Sequence, residues 1–258
     1  MFSFTKKSTR PSLFLCMTEA GRALTELGIS YPYQSLRKPE GDGDGHPVMI
    51  LPGFMSSKFS TGLLRDFVSK SGYTVFDWGL GRNLGKVEYM DALVASVEKI
   101  YARYNQKVSL IGWSLGGVFA REIAKARPDL IRQVITLGSP FQNVADANNV
   151  SWIYSLISGG KSVKDNNKAL LVSLPLPASV PTTAIYTKED GIVPWHACME
   201  SKEDDLHQNI QVRGSHCGLG VNTSVFWIIA DRLKHQKENW THFKPRNAMT
   251  ELLFYPSL

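Results

Sequence analysis

Lys107-Val-Ser-Leu-Ile-Gly-Trp-Ser-Leu-Gly-Gly-Val-Phe-Ala-Arg121 is the stretch on which the fold turns. Val108 to Ile111 is a short apolar run of the kind that forms a buried strand, and Gly117 to Ala126 repeats its apolar residues with a helical period. Between them stands Gly112-Trp113-Ser114-Leu115-Gly116, with Gly117 following at once. Glycines this dense leave room for a sharp strand-to-helix turn and let the helix start close to the sheet.

Working outward, the same alternation recurs. Strand-like runs fall at Pro47–Leu51, Tyr73–Trp78, Gln133–Leu137, Thr183–Tyr186 and Ile210–Val212. Helical patterns fall at Thr61–Ser71, Val87–Tyr104 and Thr223–His235. Strands alternating with helices of this length imply an α/β fold, with a mostly parallel sheet covered by helices on both faces. The expected organisation is one domain over residues 1–258. It comprises an N-terminal helix over 11–28, a core over 47–141 and 181–238, and a cap or lid insertion over about 142–180. The insertion breaks the rhythm with two apolar clusters, one around Trp152 to Ile157 and one around Leu170 to Leu176. Leu13, Met17, Leu24 and Leu27 suit one face of the N-terminal helix.

Composition narrows the function classes. The chain has 258 residues, of which 43% are hydrophobic and 20% charged, so disorder and a small disulfide scaffold are excluded. Its net charge of +6 gathers toward the ends, at Lys6, Lys7 and Arg10 and at Lys234, Lys237, Lys244 and Arg246. No zinc-finger spacing or aromatic-basic RNA motif goes with it, so no nucleic-acid partner is expected. Cys16, Cys198 and Cys217 form no CxxC, which leaves no thiolate metal site and fits a reducing, cytoplasmic setting without a signal peptide. No run approaches a membrane span, while peripheral association with an anionic surface stays open. Cys198 and Cys217, on neighbouring loops, are candidates for a redox link.

Ser114, lifted on a tight turn at a helix N-terminus, is the expected nucleophile, and a serine hydroxyl needs a base and an orienting acid. On a strand–turn–helix elbow the partners follow in the order acid, then histidine. His216, in Gly214-Ser-His216 after a short strand, is the expected base, with His196 its nearest competitor. Asp190, in Asp190-Gly-Ile-Val-Pro194, is the expected acid, with Glu189 beside it as the alternative. The backbone N–H groups of Leu115 and Phe54 are expected to form an oxyanion hole, with Met55 the second choice on the Leu51-Pro-Gly-Phe-Met55 turn. Asp77-Trp-Gly-Leu-Gly-Arg-Asn-Leu-Gly85 imitates a dinucleotide loop, but its third glycine is one place late, and a structural loop at the site rim is expected instead.

These motifs, together with Ile135-Thr-Leu-Gly-Ser-Pro140, resemble the α/β-hydrolase superfamily and its bacterial lipase/esterase-like branch. The resemblance covers about Pro47 to Leu233. It implies the α/β-hydrolase fold and a Ser114–Asp190–His216 triad that cleaves carboxylic esters through an acyl-enzyme, and the apolar 142–180 segment with Trp152 and Trp195 suggests an ester with a substantial apolar part. No cofactor and no metal are implied. A thioesterase, acyltransferase or perhydrolase would use the same triad, and a non-catalytic ligand-binding protein could use the same fold. Trp113 departs from the His or Tyr frequent at that position, and the turn after the first core strand lacks a His-Gly pair.

Overall fold

The computed structural model describes residues 11–36, 43–142, 172–245 and 247–256, and the side chains of 32–36 fall outside that description. After helix α1 (Leu13–Leu36) the chain alternates β1 (Pro47–Leu51), α2 (Gly62–Lys70), β2 (Thr74–Asp77), α3 (Tyr89–Tyr104), β3 (Val108–Trp113), α4 (Leu115–Ala126) and β4 (Ile131–Leu137). Beyond the excursion come β5 (Thr182–Tyr186), β6 (His207–Gln211), α5 (Thr223–Leu233) and α6 (Ala248–Phe254).

Among the described residues six strands form one sheet in the order β2-β1-β3-β4-β5-β6, and every pairing between them is parallel. Parallel neighbours require crossovers, and the intervening helices cover both faces. The period-2 rule divides the strand residues between two cores. Met49, Leu51, Leu110 and Val134 pack with α3 and α4 on one face. Val48, Ile50, Ile111 and Ile135 pack with α2 and α5 on the other. Ile50, Ile111 and Ile135 are register partners, so they form one continuous row across the central strands.

This arrangement brings the carboxyl ends of β1, β3, β4, β5 and β6 to one edge of the sheet, where the turns after the strands can meet. That edge is where ligands bind in open parallel sheets.

Three sequence expectations shift. α1 runs to Leu36 rather than ending near 28. Leu13, Met17 and Leu24 of its apolar stripe face outward, the first two 75% and 78% exposed, and Leu27 is half-buried, while Glu19 is 4% and Ser30 3% exposed on the inward side. The helix therefore docks through polar contacts. The core also extends past 238, because Trp240, Phe243 and Tyr255 are buried and the Tyr255 hydroxyl donates to the Ser224 carbonyl (3.2 Å). Of the expected cap over 142–180, residues 143–171 lie outside the described residues. Residues 172–180 join the core through Leu174, Ala178 and Val180, and Lys125 donates to the Ser173 carbonyl (2.6 Å). Among the described residues no helix is long and apolar enough to cross a membrane.

Candidate active site

Ser114 stands between β3 and α4 with φ 52° and ψ −122°, a backbone conformation that L-residues avoid and that stores on the order of 1–3 kcal/mol of strain. The surroundings hold it there. Its N–H donates to the Leu137 carbonyl (2.8 Å), and the Gly117 N–H donates to its own carbonyl (3.0 Å). The flanking glycines answer to crowding. A Cβ on Gly112 would overlap the Cα of Gly117, one on Gly116 would overlap the Leu51 carbonyl, and one on Gly117 would overlap the Ser139 side chain. The sequence Gly-x-Ser-x-Gly-Gly is thus the set of residues that lets α4 start against both β1 and β4.

The expected acid and base come together. Asp190 and His216 lie after β5 and β6, are 3% and 4% exposed, and His216 Nδ1 is 2.6 Å from Asp190 Oδ2. Asp190 Oδ1 accepts the N–H groups of Ile192 (2.8 Å) and Val193 (2.6 Å), which orients the carboxylate and leaves Oδ2 for the ring. Glu189 is engaged elsewhere, its Oε2 accepting the Gly214 N–H (3.1 Å). His196 sits in the short 3-10 turn Trp195–Cys198 with its ring edge-on to Trp195. His207 opens β6 at the opposite edge of the sheet, bonded to Asp204 (2.7 Å) and to the Ala178 carbonyl (2.8 Å).

The His216 ring lies over Gly138, where a Cβ would come within 3.0 Å of Nδ1. Gly138 follows Leu137, the residue that accepts the Ser114 N–H, so the His216 and Ser114 turns are adjacent. Among the described residues no hydrogen bond joins Ser114 Oγ to the ring. Such pairs are often loose without substrate and tighten when one binds. Trp113, which the sequence marked only as unusual, donates from Nε1 to the His216 carbonyl (3.1 Å) and so ties β3 to the His216 loop. No sequence pattern announces that bond.

The turn after β1 supplies the other wall. A Cβ on Gly53 would stand 3.3 Å from the Ser114 Cβ, so this turn packs directly against Ser114. The Met55 N–H is already donated to the Asn83 carbonyl (2.7 Å), which favours Phe54 over Met55 as the free donor. Asn83, fully buried, pins the turn further: its N–H donates to the Ser56 carbonyl (2.8 Å) and its Nδ2 to the Pro52 carbonyl (2.8 Å). The Asp77–Gly85 loop therefore braces this wall. Gly79, Gly81 and Gly85 take positive φ to make its turns, and Trp78 Nε1 bonds the Gly81 carbonyl within it (2.9 Å).

All three cysteines are free thiols. Burial raises the Cys198 thiol well above its ordinary range, and burial followed by the Glu19 carboxylate pushes Cys217 up to about 11. Among the described residues no cluster of metal-ligating side chains occurs.

Lipase B of Aspergillus fumigatus superposes with a TM-score of 0.60 at 19% identity, over 76% of this chain and 54% of that one. A soluble variant of the monoglyceride lipase of Saccharomyces cerevisiae gives 0.56 at 14% identity, over 77% and 89%. The chain has the α/β-hydrolase fold. The family model described as a PGAP1-like alpha/beta domain matches residues 77–168, which include β3, the Ser114 turn and α4. A curated relative, the pimeloyl-[acyl-carrier protein] methyl ester esterase of Aliivibrio salmonicida, is 30% identical over 107 residues. That match covers 38% of each chain, so this chain spans well under half of that relative and about half of the lipase B chain.

Proposed function

We propose that this chain is a serine hydrolase of carboxylic esters. The observation that carries the proposal is the buried Asp190–His216 pair, whose ring lies against Gly138, next to the Leu137 carbonyl that holds the strained Ser114 turn. In this reading Ser114 Oγ attacks the ester carbonyl carbon while His216 Nε2 takes its proton. Asp190 holds the other ring nitrogen as a donor and steadies the imidazolium. The Leu115 and Phe54 N–H groups receive the charge that develops on the carbonyl oxygen, each typically worth about 2.7–4 kcal/mol. Collapse expels the alcohol, protonated by His216, and leaves an acyl-Ser114. Water, deprotonated by the same ring, then releases the acid and restores the serine.

Two further features support the reading. The esterase relative and the lipase neighbours are named for ester cleavage. Met55 and Phe59, after β1, are 52% and 83% exposed beside the proposed oxyanion wall and offer an apolar surface to an acyl or alcohol chain.

The test is a chain-length series of chromogenic esters alongside acyl-CoA thioesters, with wild type and Ser114→Ala. Ester turnover by wild type and none by the variant is expected. Equal hydrolysis by Ser114→Ala would overturn the covalent route, and tight ligand binding without turnover by wild type would replace it with a binding role. Thioester turnover well above ester turnover would move the substrate class.

A further inference from the structure

We infer that Glu19 is a positioning residue for the Asp190–His216 pair, and that α1 is the clamp that carries it. The inference rests on the assignment of Ser114, Asp190 and His216 made above.

Glu19 lies more than 170 residues away in sequence from both partners, yet its carboxylate bonds the backbone of both loops. Its Oε1 accepts the N–H of Gly191 (2.7 Å), which follows Asp190, and the N–H of His216 itself (3.1 Å). Its Oε2 accepts the Cys217 N–H (3.0 Å). One side chain thus spans the acid turn and the base turn, the two pieces whose separation sets the 2.6 Å Asp190–His216 contact. Arg22 locks the carboxylate from the helix side, with Nη2 on Glu19 Oε1 (2.9 Å) and Nη1 on the Glu189 carbonyl (2.9 Å). Glu26 repeats the device on the base loop, accepting the Ser215 N–H (2.7 Å) and Asn222 Nδ2 (3.3 Å).

The loops are shaped to receive these side chains. A Cβ on Gly191 would overlap the α1 backbone at Leu15 and Cys16, and a Cβ on Gly214 or Gly218 would overlap the Glu26 carboxylate. The helix is turned for the same purpose. A helix placed only to cover apolar surface would present Leu13, Met17 and Leu24 inward, and here these are exposed while Glu19 is buried. Burying a carboxylate is costly unless its oxygens are satisfied. Burial alone would raise the Glu19 carboxyl, but the Cys217, Gly191 and His216 N–H groups and the Arg22 charge outweigh it and hold it below the ordinary value. It is therefore a charged acceptor at neutral pH, able to bond three N–H groups at once, which a glutamine of the same shape cannot do.

The experiment compares wild type with Glu19→Gln by steady-state kinetics on a small soluble ester. In parallel it follows the downfield proton NMR resonance of the His216 Nδ1–H bonded to Asp190. Glu19→Gln is expected to lower kcat about 10- to 100-fold with little change in KM, as a displaced catalytic group does. The NMR resonance should broaden or vanish in the folded variant. Unchanged kcat and an unchanged resonance would sink the clamp. If Glu19→Gln fails to fold, Arg22→Met, which removes the lock but keeps the carboxylate, must show the same two effects at smaller size. A wild type with the resonance but no ester turnover would refute the proposed function and leave the clamp standing or falling on the resonance alone.

Discussion

The two halves of the candidate site are built by different means. On the Ser114 side, strand, turn and helix are consecutive in the chain, and local crowding among Gly112, Gly116, Gly117 and the Leu51 carbonyl dictates the elbow. On the Asp190–His216 side, two glycine-bearing loops are held together by carboxylates from a helix near the other end of the chain. A local device tolerates distant change and is destroyed by its own residues. A long-range device can be loosened one bond at a time.

Several substitutions break or sharpen this contrast. The largest effect belongs to the proposed nucleophile: Ser114→Ala should cut kcat by about 10^4- to 10^6-fold while the urea midpoint stays nearly constant. Asp190→Asn follows, with a loss of about 10^4-fold, because the amide cannot enforce the ring tautomer. Measured on the same ester, that ratio places the histidine's orientation just below the nucleophile in weight. Asn83→Ala comes third. It removes the bond to the Pro52 carbonyl and loosens the Phe54 turn, so kcat should fall about 10- to 100-fold, less than the 10^2- to 10^3-fold loss of a whole oxyanion donor. A wild-type kcat for this variant would show that the turn needs no brace.

Two smaller effects concern stability. Ser114→Gly should raise the unfolding free energy by about 1 kcal/mol despite its lost activity, since glycine accepts φ 52° without strain. A denaturant titration that shows destabilisation would mean the elbow stores none. At the far end of β1, His46 is bonded to Asp44 (2.5 Å) and Ser109 (2.8 Å). Burial, and then the Arg132 charge, push its pKa down from 6.5 to about 4 against the pull of Asp44. The unfolded ring binds a proton that the folded ring refuses. Its contribution is therefore complete above pH 6.5 and is lost as the pH falls toward 4, by on the order of 1–3 kcal/mol. Glu19, lowered from 4.5, contributes above that value and loses its charge only as the pH falls through its lower folded value. Thermal melts from pH 7 to 4 should thus decline, and His46→Gln should flatten the decline.

Much of this was legible in the chain. The alternation of short apolar runs and helical patterns located the central strands β1, β3, β4 and β5 to within two residues, since their inward residues are largely apolar. Only the end of β6 was visible, because His207, Gln208 and Asn209 are buried polar residues that carry no apolar signal. Ser114, Asp190 and His216 followed from motif and order, and Asp190 and His216 do meet. The role of Asn83 was hidden, because a buried asparagine in a glycine-rich loop looks like turn chemistry until its acceptors are known. Trp113 was visible as a departure and silent about its bond.

α1 marks the boundary most sharply. Its leucines and methionine define an apolar stripe by spacing alone, and spacing has no sign: it cannot say which side meets the protein. That side was decided by N–H groups on loops nearly two hundred residues away, whose need for acceptors exists only after the sheet has brought the ends of β5 and β6 together. What the sequence determined by itself was what is encoded between near neighbours, strand, elbow and helix, together with the order of the candidate residues Ser114, Asp190 and His216 along the chain. What only the tertiary structure decided was which distant polar groups satisfy one another. Backbone donors are the same at every residue and leave no trace in the sequence until they are buried.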